Sequence, residues 1–256
     1  MTAKWSYQDY ILKQPKFIER HKEHNQRYVD HIRESDRRLI RIMTDLPEAN
    51  MGGARRQARV LDVGCNTGNL LLHLRDAHPS MELVGIDISE EMIALCKNNT
   101  TLRGISFEAL NIIESRPKTQ FDFVVLNAVS FSWDDEGFSR ALENLSCVLK
   151  EGGWLIAFDL FTPFKQDLTV VERSELYPSG VSLYLRSYES LERLLIEKSF
   201  SNISFSPFYL SVDLKLPAGD FGVTRTHTVR TNDGKGLSFR GALFQPWCHL
   251  VGQKTG

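Results

Sequence analysis

Cysteine is scarce in this sequence, and the cysteines that occur are widely spaced. They are Cys65, Cys96, Cys147 and Cys248, and no two of them form a C-x-x-C pair. Structural zinc sites and disulfide frameworks depend on closely spaced or paired cysteines. We therefore expect reduced thiols, a cytoplasmic location and no metal site.

Long apolar runs and an excess of charge of one sign are also missing. No stretch approaches the roughly 18 apolar residues of a membrane-spanning helix, and the first residues lack the apolar run of a signal peptide. The 31 basic and 32 acidic side chains give a formal net charge of −1, so no global field attracts nucleic acid or an anionic membrane. We expect a soluble protein that binds neither nucleic acid nor a membrane and recognises its partner at a local site. The sequence leaves open whether the protein forms a homo-oligomer.

The apolar pattern changes near residue 58. Residues 1–58 predict a charged, helical N-terminal cap. From 59 to 256, short apolar runs alternate with helical segments, which is typical of a mostly parallel sheet covered on both faces, an α/β fold. The predicted strands are 60–63, 83–86, 105–107, 123–126, 155–158 and 203–208, with a final strand near 246–252. The predicted helices are 69–77, 89–98, 139–149 and 187–198.

Two segments interrupt this alternation. The first, at about 162–183, contains two prolines and a glycine and lacks regular periodicity. The second, at about 214–240, has two β-type runs that flank Asn232-Asp233-Gly234, a pattern that predicts a β-hairpin. We expect both insertions to form a lid around a pocket, which suits a small molecule or a glycan precursor as substrate.

A glycine-containing turn follows the first predicted strand, between Val60 and Gly68. Gly64 and Gly68 allow a ligand to approach the backbone, and the free N–H groups at a helix start favour an anion. Asp87 ends the next strand about 20 residues later, where an acid accepts ribose hydroxyls in nucleoside sites. Each feature alone also fits a turn without a ligand or a surface carboxylate. Together they predict a nucleoside site.

The dinucleotide fingerprint G-x-G-x-x-G is incomplete. Counting from Gly64, Asn66 and Asn69 stand where the second and third glycines are required. This disfavours a pyrophosphate ligand. A nicotinamide-dependent oxidoreductase remains an alternative function. A binding competition between a nicotinamide dinucleotide and the other candidate cofactor would test it.

The turn instead resembles motif I of the class I S-adenosylmethionine-dependent methyltransferases, D/E-x-G-x-G-x-G, with Asn66 in place of the middle glycine. Later segments are similar to that family's motifs II, III and IV and to its L-K-P-G-G strand lead-in: residues 85–89, 107–112, 121–127 and 149–155. The resemblance implies a three-layer α/β/α sandwich. Its mostly parallel seven-stranded sheet would have an antiparallel last strand.

The same resemblance implies S-adenosyl-L-methionine as the cofactor. Asp62 and the loop would receive its methionine end, Asp87 its ribose and Asn111 its adenine, and Asn127 would lie near the methyl group. The full set of implied cofactor-binding residues is Asp62, Gly64, Cys65, Asn66, Gly68, Asp87, Ile88, Asn111, Ile112 and Asn127. The alternatives for Asn111 and Asn127 are local capping roles.

The implied reaction is an in-line methyl transfer to O or N of a small-molecule or sugar-type acceptor, in which alignment matters more than a dedicated catalytic group. Asp159, after the fifth strand, is the candidate base. Trp133 is a candidate wall of the acceptor pocket, with core packing as its alternative. The candidate lid residues are Arg27, Tyr28 and His227, for which solvated surfaces are the alternative. A scaffold that binds the cofactor without turnover is the competing function.

An acidic run at residues 134–136 raises the question of a divalent metal. The run directly precedes a predicted helix, and acidic side chains stabilise the first turn of a helix. We therefore interpret it as a helix start.

Overall fold

The computed structural model describes residues 5–46, 57–175, 177–208, 226–230, 236–240 and 247–256. The helices in these ranges are α1 (Tyr7–Lys13), α2 (Pro15–Gln26), α3 (Glu34–Asp45), α4 (Asn69–Ala77), α5 (Glu90–Asn98), α6 (Asp135–Val148) and α7 (Tyr188–Glu197). The strands are β1 (Arg59–Val63), β2 (Glu82–Asp87), β3 (Ser106–Ala109), β4 (Phe121–Asn127), β5 (Leu149–Asp159), β6 (Phe161–Thr162), β7 (Leu168–Glu172), β8 (Val181–Ser187), β9 (Phe200–Pro207), β10 (Thr226–Arg230), β11 (Gly236–Arg240) and β12 (Cys248–Lys254).

The central sheet has seven strands in the order β3-β2-β1-β4-β5-β12-β9. β1 pairs in parallel with both β2 and β4, so the strand order reverses there. In open α/β sheets, ligands bind beside the carboxyl ends of the strands at this reversal. β12 pairs antiparallel with β5 and with β9. The predicted fold class, including the antiparallel last strand, is confirmed.

Apolar side chains of the central strands fill two cores, one on each face of the sheet. Leu61 and Val124 belong to the core that α6 and α7 cover. Val60 and Val125 belong to the core that α3, α4 and α5 cover. Burying one such side chain contributes about 1.5–3 kcal/mol. Burial on both faces explains why these strands have nearly continuous apolar sequences.

Capping side chains determine where two of the helices begin. Ser89 accepts a hydrogen bond from the backbone N–H of Met92, so α5 begins directly after it, as predicted. α6 begins at Asp135 rather than at the predicted residue 139, because Asp134 accepts a hydrogen bond of 2.8 Å from the N–H of Gly137. The acidic run therefore lies at a helix N-terminus.

The additions to the central sheet include the predicted N-terminal helices, of which α3 enters the core through Leu39 and Met43. The first insertion contributes β7 and the first residues of β8, which pair with each other, while β6 pairs with β8. β10 and β11 pair antiparallel and form the predicted hairpin. The turn at 231–235 and the side chain of His227 lie outside what the structure describes. Within the described ranges, no helix has the length and apolarity needed to cross a membrane.

Candidate active site

The loop between β1 and α4 has a conformation that favours glycine and asparagine. Gly64, Asn66 and Gly68 have positive φ angles of 72°, 50° and 77°. A Cβ atom at Gly64 would lie 2.8 Å from a methyl group of Val129, and one at Gly68 would lie 2.9 Å from a methyl group of Leu102. Asparagine is one of the few other residues that tolerates this region of φ. Asn66 therefore replaces the family's middle glycine without a forbidden backbone angle.

The side chain of Asn66 links this loop to the N-terminal helices. Its amide oxygen accepts a hydrogen bond of 2.9 Å from Nδ2 of Asn25, and its amide nitrogen lies 3.3 Å from Nδ1 of His21. Asn69 donates a hydrogen bond of 2.7 Å to the backbone oxygen of Asn25. α2 is thus tied to the loop through the very residue that departs from the motif.

We expect Asn66→Gly to loosen α2 while preserving the backbone path of the loop. The variant loses both side-chain contacts with α2, and a hydrogen bond contributes about 0.5–1.5 kcal/mol. Amide hydrogen exchange in residues 15–26 should become roughly tenfold faster. Asn202→Gly is the matched control, because Asn202 also has a positive φ, of 49°, but binds Gln253 in the outer part of the sheet. Unchanged protection of α2 in Asn66→Gly would contradict the link.

Asp87 ends β2 with its carboxylate held by backbone groups. Its Oδ2 accepts a hydrogen bond from the N–H of Asn66 and its Oδ1 accepts one from the N–H of Ser89, both at 2.9 Å. Burial raises the pKa of this carboxyl, and these N–H groups oppose the shift. A carboxylate has about four lone-pair directions. Asp87, which lines the cavity, therefore keeps the capacity to accept further hydrogen bonds from a ligand.

The residues expected at the adenine lie beside Asp87. The N–H of Leu110 donates to the backbone oxygen of Asp87 at 2.9 Å, which aligns the end of β3 with the end of β2. Ile88, Asn111 and Ile112 all line the same cavity. The Oδ1 atom of Asn111 accepts a hydrogen bond of 3.1 Å from the N–H of Ile113. The structure therefore brings together the nucleoside residues that the sequence indicated.

Asp62 contributes a buried carboxylate to the cavity from β1. Its side chain is 2% exposed, and its Oδ1 has no hydrogen-bond partner in the described structure. Burial raises the pKa of this carboxyl well above its ordinary value, and the nearby Asp36 and Asp87 raise it further. All three carboxylates line the cavity. A cationic ligand group there would stabilise the ionised forms of these carboxyl groups and oppose the upward pKa shifts.

Arg33 contributes the opposite charge to the same cavity. Its guanidinium lies over the ring of Tyr28, 4.4 Å from the ring centroid, and donates one hydrogen bond to Asn25. Its Nε atom is buried and, like Oδ1 of Asp62, has no hydrogen-bond partner in the described structure. The cavity therefore contains one buried acceptor atom, Oδ1 of Asp62, and one buried donor atom, Nε of Arg33, that have no hydrogen-bond partner in the described structure.

Asn127 lies at the carboxyl end of β4, where the sequence places it. Its Nδ2 donates a hydrogen bond of 3.0 Å to Oδ1 of Asp36, a residue of α3 that is 2% exposed. Burial raises the pKa of Asp36, whereas the hydrogen bond from Asn127 lowers it. The sequence analysis missed Asp36, because a carboxylate in the first turn of a charged helix is typical of a solvated helix start.

The expectation that Asp159 is a base in the site needs correction. The residue is 0% exposed and is absent from the lining of the cavity. Its Oδ2 accepts hydrogen bonds from the N–H and hydroxyl of Ser130 and from the N–H of Phe131, and its Oδ1 accepts one from the N–H of Leu160. Donors thus occupy both oxygens. Asp159 fixes the loop after β4 and does not reach the cavity.

The candidate lid and wall residues have mixed outcomes. Trp133 is buried and lines the cavity, so the wall and packing interpretations both apply. Arg27 is exposed and Tyr28 is half-buried, and neither lines the cavity. His21, His24 and Asn25 of α2 line the cavity instead. Tyr28 contributes indirectly, through its contact with Arg33.

Aromatic side chains also contribute to the lining of the cavity. Tyr7 of α1 and Phe131 after β4 have ring centroids 5.4 Å apart, and Phe131 and Trp247 before β12 have centroids 6.3 Å apart. All three line the cavity, which has a volume of about 320 Å³. The sequence analysis missed Tyr7 and Trp247, since they lie outside the sheet motifs. The lining therefore combines the polar nucleoside residues with a cluster of three aromatic rings.

Comparisons with known proteins identify methyltransferases to which this chain is similar. Residues 60–153 match a family model described as a methyltransferase domain. The chain is 26% identical over 146 residues to the malonyl-[acyl-carrier protein] O-methyltransferase of Acetivibrio thermocellus, a match that covers 57% of this chain and 50% of that protein. It is 27% identical over 168 residues to the trans-aconitate 2-methyltransferase of Mycobacterium ulcerans, with 62% of each chain covered. The first of these matches spans half of the relative's length.

Solved structures support the fold. The 1,6-didemethyltoxoflavin-N1-methyltransferase of Burkholderia thailandensis superimposes with a TM-score of 0.57 at 15% identity, covering 100% of this chain and 92% of that one. At this identity, the likeness supports the fold alone. The match of residues 60–153 to the methyltransferase-domain model rests on the sequence. The resemblance that the motifs indicated is confirmed over residues 60–153, the part of the chain that matches the methyltransferase-domain model.

Proposed function

We propose that this protein binds S-adenosylmethionine in the cavity and transfers its methyl group to an oxygen or nitrogen atom of a small-molecule acceptor. The observation that carries the proposal is the pair of unpartnered buried atoms, Oδ1 of Asp62 and Nε of Arg33. The amino-acid end of the cofactor has an ammonium and a carboxylate, which would pair with these two groups. An unsatisfied buried polar group costs about 1–3 kcal/mol, so a ligand that pairs both is favoured.

We assign the remaining cofactor contacts from the residues that line the cavity. Asp87 would accept the ribose hydroxyls, and Ile88 and Ile112 would pack against the adenine beside Asn111. When bound, the cofactor supplies an electrophilic methyl group on a positively charged sulfur. That positive charge would stabilise the ionised forms of Asp36, Asp62 and Asp87, whose pKa values burial raises. The proposed contacts therefore offset part of the cost of burying these carboxyl groups.

The residues of this chain would align the acceptor and exclude water. Asn127, held by Asp36, would fix the polar surface next to the methyl group. α1 and α2 would cover the cavity as part of a cap formed by residues 1–58, and the insertions at about 162–183 and 214–240 would complete its walls. Alignment of the reacting atoms supplies much of the barrier reduction in a displacement of this kind, and the proposal needs no base from Asp159.

We expect Arg33→Met to weaken the binding of S-adenosylhomocysteine about tenfold or more. The methionine side chain keeps much of the apolar volume but removes the donor for the ligand's carboxylate, and a hydrogen bond between charged groups contributes about 1.5–3 kcal/mol. Isothermal titration calorimetry measures the change. Arg37→Met is the matched control, because Arg37 lies one turn further along α3 and its side chain is 62% exposed.

A second ligand separates loss of the carboxylate contact from general damage to the cap. 5′-Methylthioadenosine has the nucleoside and the sulfur but lacks the amino-acid end. Its affinity should be nearly the same for the unmodified protein and for Arg33→Met. An equal loss of affinity for both ligands would contradict the assignment of Arg33 to the carboxylate.

A cofactor-binding scaffold without turnover is the second candidate. It predicts the same binding but no methylated product with any acceptor. The names of the relatives include a malonyl-acyl-carrier protein, a trans-aconitate and a didemethyltoxoflavin as acceptors, so similarity alone does not select an acceptor class. The shape and charge of the cavity itself give a narrower criterion.

A further inference from the structure

Three aromatic rings, those of Tyr7, Phe131 and Trp247, line the cavity and contact one another in sequence. Tyr7 and Phe131 meet at an interplanar angle of 78°, and Phe131 and Trp247 meet at 84°. Two rings therefore stand almost perpendicular to the third. Aromatic side chains prefer edge-to-face or offset-stacked partners, so this arrangement offers both ring faces and ring edges to a flat aromatic ligand.

Other contacts hold these rings in place. Trp247 stacks on Phe158 at the end of β5, with centroids 5.0 Å apart and planes 20° apart. The N–H of Phe131 donates to Asp159, which is fully buried. The hydroxyl of Tyr7 lies 3.4 Å from Nε2 of His21. A surface fixed in this way loses little conformational entropy when it binds a ligand.

The cavity-lining residues next to Tyr7 and Phe131 along the chain carry no charge. They are Gln8, Ile11, Ser132 and Trp133. The hydroxyl of Ser132 donates to the backbone oxygen of Val129 at 2.7 Å, which leaves few polar groups for a ligand. An unpaired charge is costly to bury, and a cationic acceptor would also be repelled by the cofactor's sulfonium. A sugar would leave most of its hydroxyls without partners.

We infer that the acceptor is a planar, uncharged aromatic or heteroaromatic compound that binds among Tyr7, Phe131 and Trp247. This inference rests on the proposed methyl transfer and names the substrate class of the same site. A lone pair on a hydroxyl oxygen or ring nitrogen of the acceptor forms the new bond to the methyl carbon. The carbon–sulfur bond breaks, and its electron pair stays on sulfur as the neutral thioether. A hydroxyl acceptor releases its proton to water, and a pyridine-type nitrogen keeps the positive charge.

Four probe compounds test the acceptor class by equilibrium binding at neutral pH. They are 2-naphthol, its saturated counterpart trans-2-decalol, the carboxylate 2-naphthoate and the sugar methyl glucoside. We expect 2-naphthol to bind about tenfold more tightly than each of the others. Equal affinity for 2-naphthol and trans-2-decalol, or tighter binding of the carboxylate or the sugar, would overturn the inference.

Variants test whether the named rings cause the preference. Phe131→Leu keeps an apolar side chain but removes the ring, so the preference for 2-naphthol over trans-2-decalol should fall about threefold to tenfold. Trp247→Leu should also lower the preference for 2-naphthol. It replaces Phe131→Leu as the test if that variant does not fold. Phe205→Leu is the matched control, because Phe205 stacks on Tyr188 at 4.3 Å and does not line the cavity. An unchanged preference in both ring variants would refute the assignment.

The design separates failure of this inference from failure of the proposed function. Binding of S-adenosylhomocysteine is measured in every variant, and the probes are titrated with and without it. Absence of S-adenosylhomocysteine binding would count against methyl transfer, while the probe titrations alone would still test the aromatic site. Binding of S-adenosylhomocysteine without a preference for 2-naphthol would leave the proposed function in place and overturn the acceptor class.

Discussion

Asp87→Asn is expected to weaken the binding of S-adenosylhomocysteine about a hundredfold. The carboxylate accepts hydrogen bonds from the N–H groups of Asn66 and Ser89 on its two oxygens. An asparagine amide has one oxygen and one NH2 group, so a donor would face a donor at one of these positions. The ribose hydroxyls would also lose a charged acceptor, and each such hydrogen bond contributes about 1.5–3 kcal/mol.

The measurement is a calorimetric titration combined with a thermal melt of each unliganded variant. Glu90→Gln is the matched control, because Glu90 is an exposed acid three residues further along the chain. This control makes the same change from carboxylate to amide and should bind S-adenosylhomocysteine with unchanged affinity. An affinity of Asp87→Asn within threefold of the original would show that Asp87 is not the ribose acceptor.

Asp159→Ala is expected to lower the free energy of unfolding by about 3–5 kcal/mol. The substitution removes the acceptor for three backbone N–H groups and one hydroxyl, at distances of 2.7–3.1 Å, in a place without solvent contact. It also affects Arg186, a buried residue whose guanidinium donates to the backbone oxygens of Ser130 and Trp133. Arg186 and Asp159 hold the same loop through opposite charges.

Urea unfolding measures this loss directly. Asp76→Ala is the control, because Asp76 forms an exposed pair with Arg75 and its side chain is 63% exposed. Such surface pairs contribute at most about 1 kcal/mol. A loss below about 1 kcal/mol in Asp159→Ala would contradict the structural role of the carboxylate and would reopen the possibility that it is a base.

Several parts of the site were predictable because they depend on local sequence. Asp87 follows a strand whose apolar pattern is clear, and Ser89 marks a helix start through its capping side chain. Gly64 and Gly68 form a turn whose backbone angles exclude most other residues. These features extend over a few residues each, so periodicity and spacing are enough to locate them.

Asp159 shows why a residue's position in a strand does not determine its role. Its position at the carboxyl end of β5 agrees with the prediction to within one residue, but its side-chain direction depends on Ser130 and Phe131, which lie after a different strand. A carboxylate near the end of a parallel strand can face a ligand or fix a neighbouring loop. Only the donors around it distinguish the two cases.

The sequence by itself determined the order of the strands in the central sheet and of the helices between them, the turn at Gly64 to Gly68 and the acid at Asp87, because each depends on neighbouring residues. It did not predict the strands β6, β7 and β8. The tertiary structure decided which distant residues complete the cavity. Asp36 reaches Asn127 across 91 positions of the chain, and Tyr7 and Trp247 meet Phe131 from opposite ends of the sequence. Such contacts depend on how the helices pack on the sheet, and no local pattern of apolar or charged residues encodes that packing.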